Sequence, residues 1–166
     1  MTTPFILISA CLLGEKVRYD AKDLLLEDEI ISQWVKRGAL ISICPEIAGG
    51  LKTPRPPAEI QHLPDKSIKV ISISNQDVTE SFLIGAKLAL NTCQQQNIQM
   101  AILTEGSPSC GSSLINDGHF SKNKISGEGI TTRLLRQNGI KVFNQHQLSQ
   151  ANEYYRMHLI FSKPIN

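Results

Sequence analysis

The 166-residue sequence holds no apolar run long enough to cross a bilayer. Its most apolar opening stretch, residues 5–13, is broken by Ser9 and has no Lys or Arg before it. Neither a spanning helix nor a secretory signal is therefore expected, and the chain reads as cytoplasmic. Strong charge of either sign is also missing. A formal net charge of +2 is too small for a general binder of polymeric nucleic acid, though it leaves room for a local pocket that takes one small anion. There is no Walker motif and no dinucleotide fingerprint; Gly127-Glu128-Gly129 is only a glycine pair. The histidines, at 62, 119, 146 and 158, show no paired spacing and read as surface or packing residues. The four cysteines contain no CxxC pair, the usual mark of a closed structural zinc site. In the reducing cytosol structural disulfides are disfavoured, so these cysteines read as free thiols, metal ligands or catalytic groups.

What is present is the composition of a globular protein, 41% apolar and 19% charged, at the length of one domain. Short β-branched runs alternate with helical patterns. Strands are expected at 5–9, 39–43, 67–74, 99–104 and 140–143. Helices are expected at 23–36, closed by Gly38; from an Asp77 N-cap, with Glu80 completing a capping box, to about residue 96; at 129–136, closed by Gly139; and at 147–161. Pro54, Pro56, Pro57 and Pro64 exclude a helix or central strand from 47–64, which reads as a functional loop. Asp117-Gly118 marks a turn. The alternation predicts a single α/β domain, Rossmann-like and three-layered, with a mainly parallel sheet. Residues 1–145 would form its body and residues 146–166 a C-terminal helix packed on it.

Open sheets of this kind bind ligands outside the carboxyl ends of their strands. Cys11 follows the first expected strand, Cys44 the second, and Cys110 sits in the loop after the strand ending near Thr104. Three cysteines distant in sequence thus fall on one edge of the sheet. Soft thiolates from separate loops suit zinc, copper(I) or an iron–sulfur centre. Small buried apolar cysteines would show the same spacing, but the loops around these three are rich in other chemistry. Cys93, on the apolar stripe of a helix, reads as a core residue. Glu46, two residues after Cys44, is the candidate acid or base if its loop is partly buried, with a partnership to Arg55 as the alternative. Glu59, Asp20 and Glu105 are weaker candidates. The run from Ser107 to Ser113 can aim backbone N–H groups and hydroxyls at an anion. Arg18, Lys52 and Arg55 are candidate contacts for a ligand phosphate.

Taken together, Ser9-Ala10-Cys11-Leu12-Leu13-Gly14, Arg18-Tyr19-Asp20, Cys44-Pro45-Glu46, Gly49-Gly50-Leu51, the segment from Thr53 to Glu59, Asp77-Val78-Thr79, Phe82 with Gly85-Ala86, Ser107-Pro108-Ser109-Cys110-Gly111-Ser112, Asp117-Gly118 and the stretch from Gly127 to Ile140 resemble the thiouracil desulfurase (desulfidase) family, long catalogued as a domain of unknown function. The resemblance runs to about residue 143. It implies a [4Fe–4S] cluster on Cys11, Cys44 and Cys110, an open iron that accepts the substrate sulfur, and proton handling and substrate positioning by Glu46 with Ser107 or Ser109. Arg18, Arg55, Gly111 and Ser112 are the substrate-binding candidates. The expected substrate is a small thiolated pyrimidine: thiouracil, thiouridine or thio-UMP, with sulfur leaving as hydrosulfide without redox change. Two positions depart from many relatives. Val17 stands where a further cysteine often precedes Arg-Tyr-Asp, and Thr104 and Gly106 replace basic residues before Ser-Pro-Ser-Cys. The alternatives are a cluster- or sulfur-binding module without turnover, a cluster-free enzyme with Cys110 as nucleophile, and a three-thiolate zinc hydrolase.

Overall fold

Two runs, Ile6-Leu7-Ile8 and Met100-Ala101-Ile102-Leu103, are apolar on both of their faces, and every one of these residues is fully buried. Strands of that kind need a helical layer on each side. The computed structural model, which describes residues 3–160, shows that arrangement. Its strands in chain order are β1 (Ile6–Ser9), β2 (Leu40–Ile43), β3 (Ala58–His62), β4 (Ile68–Ser72), β5 (Met100–Leu103), β6 (Leu114–Asn116), β7 (Lys124–Ser126) and β8 (Lys141–Asn144). The helices are α1 (Glu29–Lys36), α2 (Pro45–Ala48), α3 (Thr79–Gln95), α4 (Ile130–Gln137) and α5 (Leu148–Tyr154), the last running on into a π-helical segment, Tyr155–Ile160. The central sheet has the order β2-β1-β5-β8, with all neighbours parallel. No helix among the described residues is long and apolar enough to cross a membrane.

Alternation along β1 and β5 assigns the two faces. Ile6, Ile8, Met100 and Ile102 pack with Trp34 of α1, Ala151 of α5 and Tyr155. Trp34 and Tyr155 meet edge-on at 5.8 Å, and the Tyr155 hydroxyl donates to the Pro4 carbonyl at 2.9 Å. Leu7, Ala101 and Leu103 point the other way, onto Ala89 and Cys93 of α3 and Leu135 of α4. The three layers expected from the sequence are therefore present in one domain.

Several expectations need correction. The first helix begins only at Glu29, because Asp23 and Asp28 each accept the N–H two residues on, which favours turns and caps over helix. Upstream, Leu24 and Leu26 donate their N–H groups to the carbonyls of Cys11 and Leu12, so this segment lies extended against the core. Residues 47–64 are not a plain loop: β3 forms within them, downstream of Pro57, and α2 overlaps their start. β3 pairs antiparallel with β4 in a hairpin outside the main sheet, which is where the expected third strand went. Asp77 does not cap α3 in the expected way; its Oδ1 accepts both the N–H and the hydroxyl of Thr79, Val78 occupies the cap, and no capping bond from Glu80 forms. The β6–β7 hairpin was not foreseen. The helix expected at 147–161 ends as α5 at Tyr154 before the π-helical segment, and its last residue lies outside the described residues.

The crossing of α2 over α3 sets the position of Cys44 and Glu46. A Cβ on Gly85 would stand 1.9 Å from the Pro45 carbonyl oxygen, and one on Gly49 equally close to that of Ser81. Only glycines allow the two backbones to touch. Gly85→Ala is expected to destabilise the protein by about 1–3 kcal/mol in urea unfolding, and to displace Cys44, through overpacking against a rigid backbone.

Candidate functional site

Each parallel strand delivers its following residues to the same edge of the sheet. β1 leads into a tight 3-10 turn, Ala10–Leu13, that carries Cys11. β2 leads directly to Cys44, after which Pro45 starts α2. β5 leads to Thr104 and then to the loop that carries Cys110. All three cysteines line one cavity of about 770 Å³, with Arg18, Tyr19, Glu46, Ser107 and Phe120 among its walls. None is disulfide-bonded.

The three thiols share one electrostatic setting. Burial raises all three above the ordinary cysteine range, and the Glu46 carboxylate raises each of them further. Cys110, 5% exposed, is pushed up to about 12. Opposing donors are small in comparison: the Thr104 hydroxyl and the Arg18 charge at Cys11, the backbone N–H groups of Ile47 and Glu46 at Cys44. A Cys110 thiol held this high is a poor free nucleophile, so the cluster-free reading loses its main support. A bound metal would displace these protons outright. Among the described residues no three His, Cys, Asp or Glu side chains gather tightly enough for a single ion, which disfavours the zinc reading. Three sulfurs that line one cavity without meeting at a point suit a multi-iron cluster, in which each thiolate binds its own iron.

Glu46 is held by Arg55. The guanidinium Nε and Nη2 both donate to Oε2, at 2.8 and 2.6 Å. Nη1 donates to the Val17 and Lys52 carbonyls and to the Thr53 hydroxyl. The pair is largely buried, its side chains 9% and 15% exposed. Arg55 also lines the cavity, and most of its donors go to aiming Glu46 and tying down the neighbouring loop. Oε1 of Glu46 has no hydrogen-bond partner among the described residues.

The sequence model of the 2-thiouracil desulfurase family matches residues 6–147. The chain belongs to that family. It is 38% identical over 149 residues to YbbK of Bacillus subtilis (strain 168), a protein described as uncharacterized, covering 87% of this chain and 97% of that protein. It is also similar to a solved structure described as a [4Fe–4S]-dependent thiouracil desulfidase, TudS, with a TM-score of 0.88 and 44% identity over 93% of this chain and 99% of that one.

In this family member the loop bearing Cys110 is built around Glu105. Its Oε1 accepts the backbone N–H groups of Gly106, Ser112, Ser113 and Leu114. Its Oε2 accepts the hydroxyls of Ser112 and Ser113 and the Asn144 amide. Burial alone would raise this carboxyl; the donors, led by the Ser113 hydroxyl, outweigh it and hold it down to about 2. Glu105 is therefore an anchor rather than an acid or base. Glu59, 5% exposed, has a similar task, with Oε2 accepting the N–H groups of Gly118 and Phe120. Asp20 accepts the backbone N–H of Lys22.

The remaining candidates divide. Ser107 lines the cavity, and its Oγ accepts the N–H groups of Ser109 and Cys110, which leaves its own proton to donate. Ser109, Gly111 and Ser112 do not line the cavity. The Ser109 hydroxyl pairs with that of Thr131, and that of Ser112 with Glu105 and Asn144, because the loop folds inward onto α4 and β8. Their observed bonds thus support the loop. Arg18 lines the cavity, as does the exposed Lys52, and the four histidines are all exposed. Residue patterns missed Phe120, Lys122 and Lys124, which reach the cavity from the unforeseen β6–β7 hairpin, and the hydroxyls of Ser9 and Thr104. The flank of Cys11 and the departure at 104 were the only signals for the last two.

Glu105→Ala is expected to destabilise the protein by about 2 kcal/mol or more, because several buried donors lose their acceptor. Since folding lowers the carboxyl, the wild-type contribution is complete above the unfolded pKa of about 4.3 and fades as pH falls toward 2. Urea unfolding at a series of pH values should show the difference between the two proteins shrinking across that window.

Proposed function

We propose that this chain is a cytoplasmic, non-redox desulfidase. Cys11, Cys44 and Cys110 hold a [4Fe–4S] cluster, and the substrate is a small thiolated pyrimidine: thiouracil, thiouridine or thio-UMP. The observation that carries the reading is the convergence of three thiols from three strand ends on one cavity that also holds the free oxygen of a pinned carboxylate. The likeness to TudS supports it.

The reaction exchanges a thiocarbonyl and water for a carbonyl and hydrogen sulfide, with no net electron transfer. The cluster, bound by three thiolates, supplies a Lewis-acidic iron for the thiocarbonyl sulfur. The protein supplies the rest. Glu46 Oε1 takes the proton from the water that attacks the ring carbon and returns it to the departing sulfur. Arg55 fixes the carboxylate through Oε2, so that Oε1 is the oxygen presented. The Ser107 hydroxyl donates to a ring oxygen or nitrogen and holds the ring in place. Arg18, half-buried in the cavity wall with no ion-pair partner among the described residues, meets the anionic part of a nucleotide substrate. The apolar walls, including Phe82 and Leu51, limit competing water.

Anaerobically prepared protein should contain about four irons and four sulfides per chain, as the assigned cluster requires. It should release sulfide from thiouracil or its nucleotide. Cys11→Ala, Cys44→Ala and Cys110→Ala should each abolish iron binding, and wild-type iron content in any of them rejects that ligand. Glu46→Gln should keep its iron while kcat falls by about 10²–10⁴-fold. A full cluster with no sulfide release from any of the three substrates would leave a binding module without turnover, and full activity without iron would restore the cysteine-nucleophile reading.

A further inference from the structure

We propose that the hydroxyls of Thr104 and Ser9 donate O–H···S hydrogen bonds to the ligand sulfurs of Cys11 and Cys110 and so tune the electron density of the cluster. This rests on the cluster-binding reading above and assigns two residues that reading does not use. Thr104 Oγ1 stands 3.0 Å from Cys11 Sγ. That sulfur is the only hydrogen-bond partner of the Thr104 hydroxyl among the described residues. Between two neutral groups either could donate. Once Cys11 gives up its proton to bind metal, the only proton left between them belongs to Thr104, and the direction of the bond is fixed.

Ser9 occupies the matching place one strand over. It ends β1 and is 2% exposed. Its Oγ accepts the backbone N–H of Thr104 at 3.0 Å, so its own proton is free to be donated. Ser9 and Cys110 line the same cavity, and the hydroxyls of Ser9 and Ser109 both act against the burial that raises the Cys110 thiol; that of Ser109 is already paired with Thr131. Thr104 thus serves both sulfurs: its side chain reaches Cys11, and its N–H orients the serine that reaches Cys110. The parallel pairing Leu7↔Ala101 and Ile8↔Ile102 sets the two residues side by side where β1 and β5 end. Cys44 differs. Its sulfur lies 3.9 Å from the Val17 carbonyl, and the N–H groups near it, of Glu46 and Ile47, belong to the backbone. Among the described residues, side-chain hydroxyls that substitution can remove stand at the Cys11 and Cys110 sulfurs and not at that of Cys44.

Hydrogen bonds to cluster sulfurs draw off negative charge and raise the reduction potential. The same withdrawal makes an open iron a stronger Lewis acid. At this site it also offsets the Glu46 carboxylate, whose charge acts on all three thiols.

The test is the midpoint potential of the cluster in anaerobically reconstituted full-length protein, read by a spectroscopic redox titration with iron and sulfide counted in each sample. Thr104→Val keeps the shape of the side chain and removes the donor. It should load iron normally and shift the potential to a more negative value; Ser9→Ala should shift it the same way, and Thr104→Ser should restore it. Wild-type potentials and spectra in both Thr104→Val and Ser9→Ala would overturn the proposal. If Thr104→Val and Ser9→Ala both fail to load iron while Thr104→Ser loads normally, the hydroxyls serve assembly, and tuning is rejected as stated. Absence of a cluster in the wild-type protein would instead refute the functional reading on which the proposal rests.

Discussion

The parallel pairing of β1 with β2 on one side and β5 on the other is the constraint from which the site follows. The register Ile8↔Ser42 and Ile8↔Ile102 aligns the three strand ends, and parallel direction sends all three chains out of the sheet at the same edge. Each chain then meets a cysteine after a different distance: within a tight turn, at once, or across a loop. Had any of these strands run antiparallel, its thiol would stand at the far edge. The burial of β1 and β5 on both faces makes this pairing costly to disturb, since a slip would expose apolar side chains to water.

Around this frame, two carboxylates do opposite work. Glu105 gives both of its oxygens to donors of the Cys110 loop and of β8, and that saturation holds it ionised. Glu46 gives one oxygen to Arg55 and keeps the other for the cavity. The first shapes the loop; the second remains available for chemistry. The same division appears among the hydroxyls. Ser109 and Ser112 are consumed inside the protein, whereas Ser107, Ser9 and Thr104 are placed against the cavity or the thiols. Burial first and the Glu46 carboxylate second raise all three thiols, so in the absence of metal they are held protonated and neutral.

The central strands, α3 and α4, and the placement of the cysteines at one sheet edge were legible because they depend on local signals: β-branched runs, apolar stripes at helical spacing, and loops that begin where a strand ends. The failures have physical causes. Asp23 and Asp28 divert their backbone from helix, and helical spacing of the leucines between them did not reveal this. The two hairpins consist of short strands, and the second of them has one fully exposed strand, so alternation is weak there. The Arg55–Glu46 pair spans nine residues and the Glu59 latch about sixty, and the geometry of such contacts is not a property of either segment alone.

By itself the sequence determined the fold class and the three thiols at one strand edge, because side-chain periodicity and strand-end position are set locally; the family was legible from the resemblance of its motifs. Tertiary structure decided which polar atoms near those thiols are already bonded and which are left over. That depends on the closing of distant segments onto one another: Gly85 on Pro45, Asn144 on Glu105, Thr104 on Cys11. A serine, an arginine or a glutamate has the same donors and acceptors in every sequence. Only packing determines how many of them remain for a substrate.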